Sequence, residues 1–308
     1  MSLVWTWNLI FAALAVAAYT VSRWLLKALP DSSYVVPLRH IRAWAGLVAF
    51  FSIALSLGRA TTLVFFAALS YLILKELISV LPLRHVDRRP ILWTYLAIPV
   101  QYVLVAMDWF AAFVVFIPIL LWLTIAVRLA LSAENRGFIR SLAVIQWASL
   151  VAIFGLSHLG YLLNLPAHTN AESSGAGLIL FVVMIAATQN ILESFGSRKG
   201  THSVNPNVAP EKQWGGLIVS LIGTLLVAAW LGPLLTPLNY WQAMAVASLM
   251  TITSFFGGLL LIAIGRDLQA ETMVAQRPTH IDFLDCVHRL YFSAPIFFYA
   301  LRHLSDWQ

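Results

Sequence analysis

Asp282, Asp285 and His288 stand three residues apart in PTHIDFLDCVHRLYF (278–292), and helical spacing places all three on one face. Carboxylate oxygens on such a face suit a hard cation. Mg²⁺ takes one or two protein carboxylates, keeps several waters and completes its shell with the phosphate oxygens of a ligand. An ion held in this way neutralises a polyphosphate and aligns attack on it. The same residues also suit a plainer role. Asp282 and Asp285 would simply occupy the first turn of a helix, where a carboxylate is favourable against the dipole.

A second polar stretch, TQNILESFGSRKGTHSVNPNVAPEKQWGG (188–216), places Gln189, Asn190 and Glu193 at the end of one apolar run, and Lys212 and Trp214 at the start of the next. Pro206 and Pro210 fix φ, while Gly196, Gly200, Gly215 and Gly216 allow tight turns, so the stretch predicts a structured loop. Lys212 as a point charge, together with the backbone amides of 214–217 at a helix N-terminus, suits a phosphate-bearing ligand. Composition alone favours a connection at headgroup level, with a snorkelling Lys and an interfacial Trp.

The elements that must position these residues are dictated by hydropathy. The 308 residues are 60% apolar and only 10% charged, with a mean hydropathy of +0.83, which leaves too few charges to cover a soluble surface of this size. The expected fold class is all-α, a polytopic integral membrane protein. A formal charge of +6 would suggest nucleic acid in a soluble chain. Here the basic residues sit between apolar spans, where they set topology and meet anionic headgroups, so no nucleic-acid partner is expected. The lone Cys286 excludes an intrachain disulfide and a multi-cysteine metal site, and it reads as a small buried filler. The start, MSLVWTWNLIFAALAV, lacks a basic leader and a cleavage pattern and reads as a retained first helix.

About ten stretches approach the roughly 20 residues needed to cross the hydrocarbon. They fall near 3–26, 43–58, 60–81, 91–107, 109–131, 141–163, 174–192, 216–235, 240–264 and 287–304. An N-terminal helical half, 1–140, is then followed by a C-terminal half, 141–308, that carries both polar motifs. With this count, every Lys and Arg except Arg59, Lys75 and Arg302 falls in alternate loops or their flanks. The positive-inside rule therefore puts both termini on the non-cytoplasmic side and both polar motifs in the cytoplasm, where soluble nucleotides are available. Lys75 and Glu76 are adjacent within the third span, and Pro99 and Pro118 could break helices. Without repeat symmetry these features do not make a transporter.

Together the two motifs resemble those of the phosphatidate cytidylyltransferase (CDP-diacylglycerol synthase) family of membrane enzymes. A cytoplasmic loop of that family reads approximately G-K-x-x-G-x-H-x-x-A-P-x-V-S-P-x-K-T-W-E-G. FGSRKGTHSVNPNVAPEKQWGG is similar to it at Gly196, Gly200, His202, Pro206, Val208, Pro210, Lys212, Trp214 and Gly216, without a gap. The family's C-terminal signature, S-x-x-K-R-x₄-K-D-x-G-x₅-P-G-H-G-G-x-x-D-R-x-D followed by a proline-bearing span, is matched at Arg266, Pro278, His280, Asp285 and Pro295. The stretches LILKELISVLP, FIPILL and IQWASLVAIFGLSH look like the bacterial branch, so the resemblance covers essentially the whole chain.

What the resemblance implies is a bacterial inner-membrane enzyme in which the phosphatidate phosphate attacks the α-phosphorus of CTP in the presence of Mg²⁺. It further implies Asp285 as metal ligand, helped by Asp282 or His288, with Lys212 on phosphate and His280 orienting ligands or moving a proton. Gln189 or Asn190, His202, Asn207, Lys212, Trp214 and Arg266 would contact substrate. A homodimer or another membrane protein is left open as partner. The departures are as informative. The aspartate that the family places before the first loop falls at Gln189 or Asn190, the Lys before Arg266 is Gly265, and the Lys-Asp pair is Glu271 and Thr272. The two glycines after His280 are Ile281 and Asp282, the Arg after Asp285 is Cys286, and the final Asp is His288. A site expected to hold two divalent ions has lost most of its negative charge. Either Asp282, Glu193 or Glu271 restores part of it, or catalysis is gone and the fold binds lipid or nucleotide or supports a membrane complex.

Overall fold

The computed structural model describes residues 3–28, 35–80, 87–131, 137–165, 175–198, 202–267 and 281–304. In chain order the helices are α1 (Leu3–Ala28), α2 (Val35–Ser56), α3 (Arg59–Val80), α4 (Arg88–Ala106), α5 (Phe110–Val115), α6 (Trp122–Ala130), α7 (Phe138–Ser149), α8 (Leu156–Tyr161), α9 (Gly175–Gly196), α10 (Trp214–Leu235), α11 (Tyr240–Asp267) and α12 (Ile281–Leu304). A π turn, Phe116–Leu121, joins α5 to α6, and another, Leu150–Gly155, joins α7 to α8, so the described residues form ten rods. Seven of these rods are long and apolar enough to cross a membrane. The protein is an all-helical polytopic membrane protein.

The rods coincide with the ten apolar stretches of the sequence and exceed several of them. The second begins at Val35 rather than near residue 43, the seventh runs on to Gly196, and the last begins at Ile281. In each case helical backbone continues past the apolar window into polar sequence, carrying Arg39, Arg42, Glu193 and Asp285 on helices instead of loops.

Pro118 explains the first π turn. Its ring leaves no N–H to bond back, and the wider turn accommodates the gap. The carbonyl of Phe113, five residues earlier, accepts instead from Gln101 Nε2 at 3.2 Å, and the carbonyl of Ile117 accepts from Gln146 Nε2 at 3.2 Å. Two buried amides on neighbouring helices thus satisfy backbone oxygens inside the apolar core.

α9 is the central helix of the C-terminal part. Leu178 to Val183 and Ile185 to Ala187 are all buried, as expected of a helix that is apolar all round. α10 buries against α9 and α11 a stripe of small residues repeating every fourth position, Gly216, Ser220, Thr224, Ala228 and Gly232. The opposite face repeats large ones at the same interval, Ile218, Ile222, Leu226 and Trp230, all exposed. Close packing of small residues against a neighbouring helix, with bulky residues left to lipid, is how apolar helices associate where water supplies no driving force. At the end of this interface a Cβ on Gly196 would lie 2.7 Å from the Gly215 carbonyl oxygen, and one on Gly216 would run into Ser197 Oγ. The two glycines let α9 and α10 cross almost backbone to backbone.

Between α9 and α10 lies a short hairpin, β1 (Ser203–Asn205) against β2 (Ala209–Gln213), antiparallel with Ser203 opposite Gln213 and Asn205 opposite Ala209. Its turn is fixed by Asn205, whose Oδ1 accepts the amides of Asn207 at 3.0 Å and Val208 at 3.2 Å. An Asx turn of this kind orders the chain without long strands.

Candidate functional site

Where α9 ends, the hairpin returns and α12 begins, three charged side chains meet out of water. Glu193, Lys212 and Arg289 are 4%, 7% and 3% exposed. Lys212 Nζ donates to Glu193 Oε1 at 2.5 Å, and Arg289 Nη1 donates to Glu193 Oε2 at 2.7 Å. Burying charges is tolerable only when they are paired and hydrogen-bonded, and here one carboxylate serves two cations. The trio therefore carries a net positive charge.

Glu193 and Lys212 each have a clear structural reason to be there. Glu193 is placed by the extra turns of α9 beyond its apolar window. Lys212 points inward because it alternates with exposed Glu211 on β2. Its ammonium also lies 5.3 Å from the centre of the Phe255 ring on α11, within cation–π range. α11 offers no side chain at Gly258, where an added Cβ would sit 3.0 Å from both Lys212 Nζ and His288 Nε2. Lys212 and His288 thus converge on one bare patch of helix.

A polar seam continues inward from this point. Gln189, one turn before Glu193, is buried and donates through Nε2 to the Thr251 carbonyl at 2.9 Å. Thr251 and Thr224 share a hydroxyl hydrogen bond at 2.9 Å. Asn190, next to Gln189 on α9, is buried as well, and Ser254 lies one turn along α11 from Thr251. Gln189 Oε1 and Ser254 Oγ have no hydrogen-bond partner among the described residues.

Of the residues singled out by sequence, the structure brings Lys212 and His288 together at Gly258 and buries Gln189 and Asn190 one turn before Glu193 on α9. Arg266 and Asn207 meet each other at the hairpin tip, Arg266 Nη1 donating to the Asn207 carbonyl at 2.6 Å. His202 and Trp214 sit at the exposed root of the hairpin, where the Trp214 amide donates to the His202 carbonyl at 3.3 Å. The first amides of α10 follow directly. Gln213 precedes them in extended conformation and caps none of them with its side chain, so they retain the anion-binding character of a helix N-terminus. His280 and the side chains of Asp282 and Asp285 lie outside the described residues. The backbone of both aspartates falls in the first turns of α12.

Sequence alone makes Arg289 one of the cations of a loop or its flank, and Glu193 a partial substitute for a lost acid. Each oxygen of the Glu193 carboxylate is held by a cation of the protein itself. Among the described residues no group of three or more His, Cys, Asp or Glu side chains could hold a metal ion.

Against known proteins, the model of the cytidylyltransferase family matches residues 38–304. YnbB of Escherichia coli (strain K12), described as an uncharacterized protein, is 35% identical over 292 residues, covering 94% of this chain and 96% of that protein.

Proposed function

We propose, from the premise that the chain belongs to the cytidylyltransferase family, that the seam around Lys212 is the transfer site. A phosphate oxygen of a phosphatidate-like lipid attacks the α-phosphorus of CTP. The bond from that phosphorus to the β-bridging oxygen breaks, and pyrophosphate leaves with the electron pair, giving a CDP-diacylglycerol-type product. The observation that carries this reading is the position of Lys212. The lysine of the loop motif is held buried at the junction of the hairpin, α9, α11 and α12, beside the N-terminus of α10.

In this reading the net positive trio of Glu193, Lys212 and Arg289 attracts phosphate, and the amides of 215–217 bind it. Arg266 and Asn207 fix the hairpin over the ligand, His202 and Trp214 line its approach, and Gln189 and Asn190 supply polar contacts deeper in the seam. His280 orients the ligand or moves a proton. Asp285 and Asp282, one turn apart, would hold Mg²⁺, which supplies neutralisation of phosphate oxygens. The protein would work in a bacterial inner membrane with this face toward the cytoplasm, source of CTP.

A specific observation favours a second reading, nucleotide or lipid binding without turnover. The acid nearest the site, Glu193, is neutralised by its own protein, so less charge remains to recruit metal. One experiment separates the two. Purified protein is given CTP, phosphatidate and Mg²⁺, and pyrophosphate release is followed alongside Mg²⁺-dependent CTP binding. Turnover that Asp285→Asn abolishes supports transfer, binding without turnover supports the second reading, and neither activity sinks both.

A further inference from the structure

We propose that a groove between α1, α2 and α3 is a binding site for an anionic glycerophospholipid of the surrounding bilayer, separate from the Glu193 seam. The groove encloses a cavity of about 530 Å³, and none of its lining residues comes from α9 to α12. Its lining is polarised. Arg39 and Arg42, one turn apart on α2, stand at one end, and Phe50 and Phe65 stand at the other with ring centres 4.1 Å apart.

Among the described residues no carboxylate lines the groove. Neither Arg39 nor Arg42 has a hydrogen bond or ion pair with a described residue. Two unengaged guanidiniums form a planar, multi-donor receptor for a phosphodiester. Between the charged and aromatic ends the floor is open, because a Cβ placed on Gly46 would meet nothing within 4 Å. From Arg42 to Phe50 the helix rises roughly 12 Å, enough for the upper part of an acyl chain. Phe50, 51% exposed, leaves the apolar end open sideways to the membrane. Positive charge at one end and lateral apolar exposure at the other fit an amphiphile with a negative head. A zwitterionic lipid would bring its own cation to the arginines, and a soluble anion would leave the aromatic end unfilled.

The test uses the full-length protein in nanodiscs of phosphatidylcholine doped with phosphatidylglycerol, with retained lipid read by native mass spectrometry. Phosphatidylglycerol is expected to be retained over phosphatidylcholine, and Arg39→Gln and Arg42→Gln each to lower that retention about fivefold. Gly46→Trp, filling the floor, is expected to expel the lipid. Gly46→Leu fills less and keeps the test decisive if the tryptophan variant does not fold. Lys212→Met is expected to leave retention unchanged, because the two sites share no residue. Equal retention of both lipids, or retention unmoved by the arginine and Gly46 variants, overturns the proposal. So does loss of an oligomer in Gly46→Trp, which would make a second copy of the chain the occupant, and loss of the lipid in Lys212→Met would overturn the separation of the sites.

Discussion

Glu193 is the residue on which the polar junction depends. Both its oxygens are engaged, so Glu193→Gln keeps the shape and takes from Lys212 and Arg289 the carboxylate charge they share. The expected loss is about 3–5 kcal/mol of stability, measured by denaturant unfolding in detergent. Lys212→Met should cost less, because Arg289 still balances the carboxylate, and the double variant should cost less than the two singles combined. Gly258→Ala is a subtler probe. Its Cβ presses on the ends of Lys212 and His288, and both must shift by a few tenths of an ångström, so CTP binding should weaken while the melting temperature moves little. The cationic trio was not legible in the sequence. Glu193 and Arg289 are 96 positions apart, and nothing local distinguishes an arginine that sets topology from one that neutralises a buried acid. Lys212 and the amides after it were legible, because proline and glycine spacing announced a structured loop.

At the scale of elements, the rods were readable because crossing hydrocarbon demands long apolar runs. Their ends were not, since helix that emerges from the apolar layer is written in ordinary polar residues, as at Arg39 and Glu193. The hairpin escaped because strands of three and five residues leave no periodicity to find. Its attachment makes a prediction. Arg266→Ala removes the bond to the Asn207 carbonyl, and amide hydrogen exchange should accelerate across 203–213 while α9 and α10 keep their protection. The small-residue stripe of α10 makes another. A Cβ on Gly232 would collide with that of Ala243, so Gly232→Val should cost roughly 1–3 kcal/mol or more through overpacking, seen as a lower unfolding midpoint.

At the scale of the molecule, the distribution of cations predicts that both termini lie outside the cytoplasm, with the hairpin and the start of α12 inside. Alkaline phosphatase fused after residue 308 should be active, and the same reporter inserted at 200 should be silent; the reverse pattern would invert the whole arrangement. The outward face of α10, with Ile218, Ile222, Leu226 and Trp230 turned to lipid, has a consequence for traffic. If the proposed transfer site is right, the helix that begins there is also its wall against the bilayer. A water-insoluble reactant would then arrive by two-dimensional diffusion along the leaflet and its product would depart the same way, while the nucleotide would come and go through the third dimension.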